Sequence, residues 1–185
     1  GGVVMLMNSL CNIRNFDSDT GVVTVESGCL LGDLERFLSS NNRQLRLAPS
    51  TWRSASVGGF LAGGSGGIGS VRWGFLRDPG HLLGVEVVTV EDQPRKLKLD
   101  DIESEALNHA YGTNGIITSL KLSTATSIPW EEVCIECESL QTAVELLLAC
   151  AHAAIDLNLA SLLEENIVKH LPALSRFSCK RHRLL

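Results

Sequence analysis

The sequence predicts an α+β fold, in which strands and isolated helices follow one another without regular βαβ alternation. Runs rich in β-branched residues recur along the chain, turn-forming residues separate them, and only isolated segments show the apolar spacing of a helix. The 185 residues, 44% of them hydrophobic, fit one domain or one domain with part of a second. This composition excludes wholesale disorder.

The first 50 residues predict two strands and one helix. Val3–Met7 is an apolar run that predicts a buried strand, and Val22–Glu26 predicts another strand after the turn-forming segment Asp17–Gly21. Apolar residues on one helical face predict a helix over residues 30–38. The short segment Leu45–Leu47 is expected to be extended.

Three more strands are predicted between residues 85 and 122. Val85–Val90 is rich in β-branched residues, and Lys96–Leu99 alternates as its hairpin partner across the turn Glu91–Pro94. Ile116–Leu122 predicts the last strand of this region.

A domain boundary is predicted at Thr124–Pro129. Beyond it, Val133–Cys137 predicts a strand, and helical patterns cover Leu140–Ala154 and Leu159–Leu171. We interpret residues 126–175 as the start of a second domain. Residues 176–185 have no apolar periodicity and are expected to be a frayed tail.

Charge and the apolar runs limit the classes of partner. The formal net charge of −5 argues against general binding to a phosphate backbone, so no nucleic acid partner is expected. The sequence contains no run of 18 apolar residues, so no transmembrane segment is predicted. Val3–Met7 lacks the flanks of a signal peptide, and a chain that opens on a core strand is expected to have lost a segment upstream.

The six cysteines are expected to be buried, reduced and structural. Cys134 and Cys137 form a C-x-x-C match, but they lie in a predicted strand, where a spacing of three places the two thiols on opposite faces. No second C-x-x-C follows, so no metal site is predicted. This cysteine usage favours a cytoplasmic protein.

Glycine carries the functional signal, because seven of the 17 glycines fall within Gly58–Gly69. The segment Gly64–Gly69 matches the dinucleotide motif G-x-G-x-x-G, with Glu91 at about the expected distance beyond it. That motif must open a long helix. Two glycines and a proline interrupt Val71–Leu83, so an NAD-dependent dehydrogenase of the Rossmann type is disfavoured.

Two interpretations of the glycine cluster remain. Without Cβ atoms, backbone N–H groups can approach a diphosphate closely and form a concave anion site. Alternatively, the cluster is a tightly packed loop past which another backbone segment runs.

The order of several motifs resembles the FAD-linked oxidases and dehydrogenases of the vanillyl-alcohol-oxidase type, most closely the branch of the glycolate oxidase subunit and D-lactate dehydrogenase. The motifs are, in order, Leu31-Gly32-Asp33-Leu34, Pro49-Ser50-Thr51, Ser54–Gly59, Gly64–Gly67, Arg72-Trp73-Gly74, Arg77-Asp78, Leu83–Val88 and Gly112–Thr118. The resemblance covers residues 1–125.

This resemblance implies a PCMH-type FAD-binding domain over residues 1–125, mostly its second subdomain, followed by the start of an α+β substrate domain. It implies non-covalent FAD, with no His or Cys at an obvious attachment position. Asp78 is expected to fix its loop. The implied cofactor-binding residues are Pro49, Ser50, Thr51, Ser56, Val57, Gly58, Gly59, Gly63, Gly64, Ser65, Gly66, Gly67, Gly115, Ile116 and Ile117.

Two departures from the family accompany the resemblance. The family's separate glycine-rich phosphate loop does not occur in this sequence, and Gly64 stands where relatives often carry Asn. His81, His109 and Tyr111 are the local candidates for a proton acceptor, and none is assigned as catalytic.

The resemblance implies an oxidoreductase that passes a hydride from a CH–OH donor, such as a small 2-hydroxy acid, to flavin. The alternative is a non-catalytic or degenerate flavoprotein fragment. The expected partner is a small-molecule substrate. Without the phosphate loop's subdomain, apolar surface would be exposed, which makes a homodimer possible.

Overall fold

The computed structural model describes residues 3–153, 155–171 and 182–184. The chain divides into two compact units, residues 1–128 and 129–185, and the division falls within the segment where the sequence predicts a boundary. The assignment of these units to a cofactor domain and a substrate domain stays a prediction.

The first unit is built on an antiparallel sheet of six strands. The strands are β1 (Ile13–Asp17), β2 (Val22–Glu26), β3 (Arg43–Leu45), β4 (Leu82–Val88), β5 (Lys96–Leu99) and β6 (Ile116–Thr126). Their order is β1-β2-β6-β4-β5, with β3 paired to the end of β6. All of these pairings are antiparallel, which confirms the predicted α+β class.

Three helices and one 3-10 turn accompany this sheet: α1 (Leu31–Ser39), α2 (Val57–Gly63), α3 (Ser70–Trp73) and the 3-10 helix Glu103–Leu107. The side chains of Leu31, Leu34 and Leu38 lie on one face of α1 and are buried. This spacing is the predicted one and holds α1 in the core. α3 has only four residues, so no long helix follows the glycine cluster.

The core lies on one face of the sheet. Val23 and Val25 of β2, Val85 of β4 and Leu120 of β6 are buried, and Leu120 pairs in register with both Val25 and Val85. Alternate residues of each strand thus point to the same layer. Helix residues, including Phe60 of α2, belong to the same buried cluster.

The second unit contains two helices and a three-stranded sheet. Its elements are β7 (Ile135–Cys137), α4 (Leu140–His152), β8 (Leu162–Leu163), α5 (Glu165–Val168) and β9 (His182–Leu184). The strand order is β7-β9-β8, and both pairings are antiparallel. Ser139 caps α4 by accepting a hydrogen bond from the Thr142 N–H at 3.1 Å.

The predicted strand at Val3–Met7 is wrong. These residues form no strand, and Val3 is 97% exposed. A strand needs a neighbour for its backbone groups. No described strand pairs with this segment, and its recorded backbone bond is the one that Met7 O accepts from the Leu10 N–H.

Two predictions for the second unit are also wrong. Leu159–Leu171 is not one helix, because Leu162 and Leu163 pair with β9 and only the short α5 follows. The tail is not frayed throughout, since residues 182–184 form the central strand β9. Residues 176–181 and 185 lie outside the described residues. Both errors have one cause, a strand partner that is distant in sequence.

The cysteines are only partly as predicted. Cys29 and Cys137 are buried free thiols, but Cys11 is exposed, because it precedes β1 in a segment that the core does not cover. Cys134 and Cys150 are half-buried free thiols. Cys179 lies outside the described residues. Among the residues that the structure describes, no helix is long and apolar enough to cross a membrane.

Candidate functional site

The start of α2 uses its own backbone donors within the chain. The N–H groups of Val57 and Gly58 donate to the carbonyls of Cys29 and Ser27 at 2.9 and 2.8 Å. The Gly59 N–H donates to Ser56 Oγ at 3.1 Å, an N-cap. These first-turn donors are therefore engaged, although the family resemblance implied that Ser56–Gly59 lines the path of the diphosphate and the flavin ribityl chain.

The glycines of α2 face different surroundings. A Cβ on Gly58 would lie 2.6 Å from the Cβ of Ser27, so close packing explains this glycine. A Cβ on Gly63 would meet only Ser65 Oγ at 3.7 Å, and one on Gly59 would meet only Ser56 Oγ at 2.9 Å. Gly59 and Gly63 lie one turn apart, and apart from the Ser56 hydroxyl beside Gly59 no described group crowds this strip of α2, which we call the glycine strip.

The turn after α2 carries free backbone donors. Gly64 ends the helix in the left-handed conformation, with φ of 60°. The N–H groups of Ser65, Gly66 and Gly67 donate to no group in the described part of the chain. Consecutive N–H groups of this kind form an anion-binding concavity.

Pro49–Thr51 lies beside this turn, as the sequence-based site requires. Ile68 and Ala48 exchange two backbone hydrogen bonds, of 2.9 and 3.1 Å. A Cβ on Gly67 would lie 3.3 Å from the Cα of Pro49 and 2.6 Å from the Ala48 carbonyl oxygen. Ser50 and Thr51 are exposed.

Gly115–Ile117 contributes backbone that the sheet already uses. Ile116 and Ile117 pair with Val88 and Val87 of β4. A Cβ on the buried Gly115 would lie 2.5 Å from Val87 Cγ2, so packing against β4 explains that glycine. A contact between this segment and the cofactor stays a prediction.

A loop over residues 108–115 packs against the end of α2. The N–H groups of His109 and Tyr111 donate to the carbonyls of Leu61 and Ala62 at 3.1 and 2.9 Å. His109 and Tyr111 both have positive φ, of 57° and 51°, which is rare for residues other than glycine. His109 Nε2 and the Tyr111 hydroxyl are 3.1 Å apart.

A polar cavity of about 230 Å³ opens between the turn after α2 and this loop. It is lined by Gly64, Ser65, Phe75, Leu76, Arg77, Asn108 and His109. Asn108 was not predicted as a lining residue, and Arg77 was named only within the Arg77-Asp78 motif. Asn108 carries no local sequence signal, because the 108–115 loop reaches the cavity through its backbone bonds to α2.

The candidate proton acceptors have different surroundings. His81 is buried, and its Nε2 donates to the Trp73 carbonyl at 2.8 Å, while its Nδ1 has no partner among the described groups. His109 and Tyr111 are exposed beside the cavity. Asp78 accepts the Phe75 N–H at 2.7 Å, which is the loop-fixing role expected of it.

The pKa of one buried thiol and the placement of metal-ligating side chains describe the chemistry available near this site. Burial raises the pKa of the Cys29 thiol to about 11, so this side chain is uncharged near neutral pH. Among the described residues, no group of three or more His, Cys, Asp or Glu side chains is placed to hold a metal ion.

Comparison with known proteins identifies the family. A family model described as FAD binding domain matches residues 1–96, just over half of the chain. The chain belongs to the FAD-binding domain family. This confirms FAD as the cofactor and confirms the resemblance drawn from the motifs.

Named relatives of this FAD-binding domain include 2-hydroxy acid enzymes. The probable mitochondrial D-2-hydroxyglutarate dehydrogenase of Oryza sativa subsp. indica is 29% identical over 156 residues, which are 80% of this chain and 27% of the relative. The glycolate oxidase subunit GlcD of Bacillus subtilis (strain 168) is 30% identical over 88 residues, 48% of this chain and 18% of that protein. The chain thus spans about a quarter of the rice relative's length.

A solved structure shows the same fold. An alkyldihydroxyacetonephosphate synthase superposes with a TM-score of 0.74 and 17% identity, covering 97% of this chain and 36% of that one. At this identity the likeness establishes the fold alone, and it confirms the predicted PCMH-type FAD-binding fold.

Proposed function

We propose that this chain forms the FAD-binding part of an oxidoreductase that acts on the CH–OH group of a small 2-hydroxy acid. The observation that carries the proposal is the run of free N–H groups at Ser65–Gly67, which continues the glycine strip of α2 in a chain of the FAD-binding family. The printed names of the relatives, D-2-hydroxyglutarate dehydrogenase and glycolate oxidase subunit, supply the substrate class.

The residues present fit a diphosphate and an extended cofactor. The N–H groups of Ser65–Gly67 would donate to phosphate oxygens, and the missing side chains at Gly59 and Gly63 would let the cofactor lie close to α2. FAD, when bound, supplies the acceptor for the hydride that leaves the hydroxyl-bearing carbon. The protein's part is to bind, to orient and to take up the hydroxyl proton.

FAD is expected to bind without a covalent link. The thiol of Cys29 is buried and uncharged, and the imidazole of His81 is buried against Trp73. Because both side chains are buried, neither is presented to a cofactor that lies on the surface of α2. Denaturation with acid should therefore release all flavin into the supernatant, and flavin retained by the precipitated chain would refute this expectation.

The test of FAD binding is a fluorescence titration with the 185-residue chain. We expect saturable quenching of FAD fluorescence, and much weaker quenching of riboflavin, which has no phosphate for the Ser65–Gly67 donors. Equal affinity for the two flavins would contradict the assigned phosphate contacts. Absence of quenching with FAD would contradict the proposed function.

The second candidate is a flavoprotein part without turnover. It is favoured by the engaged donors at Val57, Gly58 and Gly59, which leave α2 with fewer groups for a phosphate than the sequence implied. Anaerobic addition of D-2-hydroxyglutarate, D-lactate or glycolate to the FAD-loaded protein separates the candidates. Bleaching of the flavin absorbance supports the oxidoreductase, and FAD binding without bleaching supports the second candidate.

A homodimer and a cytoplasmic location are parts of the same proposal. Val3, Val4 and Leu6 expose apolar side chains in an unpaired segment, and a second copy could cover them. Light scattering after gel filtration measures the molecular mass, which distinguishes a monomer from a homodimer. The rice relative is named as mitochondrial, so cell fractionation decides between the two compartments.

A further inference from the structure

We propose that a small cavity in the core of the first unit holds one ordered water molecule, bound by Arg46, His81 and Ser123. The cavity lies between the helices and the sheet, near the paired ends of β3 and β6. Apolar side chains of α1, α2 and β6 form most of its wall. It shares no residue with the glycine strip or with the free donors at Ser65–Gly67, so it is separate from the proposed cofactor contacts.

A buried nitrogen of His81 calls for a hydrogen-bond donor. The residue is only 6% exposed, and its Nε2 lies 2.8 Å from the Trp73 carbonyl oxygen. A carbonyl can only accept, so Nε2 carries the proton, and Nδ1 of the neutral ring is an acceptor. That Nδ1 has no partner among the described groups. Buried polar atoms are nearly always bonded, either to protein or to ordered water, so a small donor is expected here.

The two other polar residues of the wall supply complementary groups. Nε and Nη1 of Arg46 donate to the carbonyls of Thr124 and Gly80 at 3.2 and 3.0 Å, whereas Nη2 has no recorded partner in the described part of the chain. The Ser123 hydroxyl also lacks a partner among the described groups. One water would accept from Arg46 and donate to His81 Nδ1 and to the Ser123 hydroxyl. Three bonds are typical of a buried water.

Size and chemistry select water as the occupant. The cavity volume of about 20 Å³ suits one water molecule, which needs at least about 10–15 Å³. An anion would suit the Arg46 guanidinium, but it has no proton to donate to His81 Nδ1. A cation would be repelled by Arg46. Water is the small molecule that both accepts and donates, so it satisfies both residues at once.

The water site joins parts of the chain that are distant in sequence. Trp73 ends α3, its carbonyl accepts from His81, and its ring centre lies 4.7 Å from the guanidinium carbon of Arg46. The His81 carbonyl accepts the Ser123 N–H of β6 at 2.9 Å. The site therefore ties the end of α3 to the sheet. This explains the Arg72-Trp73-Gly74 motif by an anchoring role of its tryptophan.

A crystal structure of the 185-residue chain tests the site directly. We expect one water peak in the cavity, about 3 Å from His81 Nδ1 and within hydrogen-bond distance of Arg46 and Ser123. No peak beside a well-ordered His81, or a protein group that donates to Nδ1, would overturn the inference. Crystals soaked in bromide test the competing occupant. An anomalous peak in the cavity would identify an anion site and overturn the assignment of water.

Two substitutions of His81 separate its two hydrogen bonds. The side-chain amide of His81→Gln can occupy the position of Nε2, and that of His81→Asn the position of Nδ1. Crystals of His81→Asn should therefore keep the water and lose the bond to Trp73, whereas crystals of His81→Gln should keep that bond and lose the water. The opposite pattern would contradict the assigned contacts.

Unfolding in urea measures the effect of the site in solution. Each His81 variant should raise the unfolding equilibrium constant by roughly tenfold, because each leaves one buried polar group without its partner. His170→Asn is the matched control, since His170 is exposed in the second unit and has no recorded side-chain bond in the described part of the chain. It should leave the constant unchanged. An equal effect in all three variants, or none in either His81 variant, would count against the site.

Discussion

Gly63→Ala should separate cofactor binding from stability. Gly63 is the last residue of α2, and its added Cβ would meet only Ser65 Oγ, at an ordinary contact distance of 3.7 Å. Alanine is favoured over glycine within a helix by roughly 0.5–1 kcal/mol. The free energy of unfolding should therefore stay constant or rise by up to about 1 kcal/mol, with the smaller gain expected at a helix end.

The same methyl group should weaken FAD binding. It projects into the open space along the glycine strip that we assign to the cofactor. Overpacking of a closely fitted contact costs about 1–3 kcal/mol, which corresponds to a loss of roughly 5- to 150-fold in affinity. The affinity is measured by quenching of FAD fluorescence and the stability by urea unfolding of the chain without FAD.

Gly58→Ala is the control on the opposite face of α2. Its Cβ would lie 2.6 Å from Ser27 Cβ and 3.0 Å from the Ser27 carbonyl oxygen, so the helix must shift. We expect a loss of about 1–3 kcal/mol in unfolding free energy. A stable Gly63→Ala chain that binds FAD with unchanged affinity would show that the cofactor does not lie along the glycine strip.

Three further predictions follow from burial and charge. Leu34→Ala should lower the urea unfolding free energy by about 2–5 kcal/mol, because Leu34 is fully buried in α1, and a loss below about 1 kcal/mol would contradict this core assignment. The hydrogen bond from Lys96, with other neighbouring groups, lowers the pKa of Glu86 from 4.5 to about 2. Glu86 forms an ion pair with Lys96, whose Nζ lies 2.9 Å from Glu86 Oε2. The stabilisation by Glu86 is thus present above pH 4.5 and is lost as pH falls towards 2. The difference in unfolding free energy between the unaltered chain and Glu86→Gln should therefore shrink over that range, and a constant difference would refute the ion-pair assignment. Iodoacetamide at pH 8 should alkylate the exposed Cys11 but spare Cys29, because burial raises the pKa of the Cys29 thiol to about 11. Mass spectrometry of the native chain after labelling measures which thiol reacts. Alkylation of Cys29 before Cys11 would contradict this prediction.

The parts of the fold that local sequence specifies were predictable. The apolar spacing of Leu31, Leu34 and Leu38 sets the buried face of α1, and the turn formers at 17–21 precede the predicted strand β2. The strand on the other side of that turn, β1, was not predicted. Val3–Met7 and Leu159–Leu171 were predicted wrongly because strand formation depends on a partner elsewhere in the chain. The apolar pattern of a segment does not say whether that partner exists.

The site was predictable as a segment but not residue by residue. The glycine cluster and the motif order identified the family, which the comparison confirmed. They did not distinguish Gly58 and Gly115, which pack against Ser27 and Val87, from Gly63, which faces open space. Those neighbours lie roughly 30 residues away along the chain, so only the folded structure separates packing glycines from binding ones.

The orientation of α2 distinguishes this site from the phosphate site of a Rossmann fold. In the Rossmann arrangement a phosphate meets the positive end of a helix, whereas the free donors at Ser65–Gly67 follow the carbonyl end of α2, which repels anions. The N–H groups of His109 and Tyr111 cover the Leu61 and Ala62 carbonyls, and both residues adopt positive φ where they do so. This cover removes two acceptors from the anion's surroundings but adds no charge. The phosphate contacts proposed at this turn are therefore local hydrogen bonds from the Ser65–Gly67 N–H groups, and they do not draw on the dipole of α2.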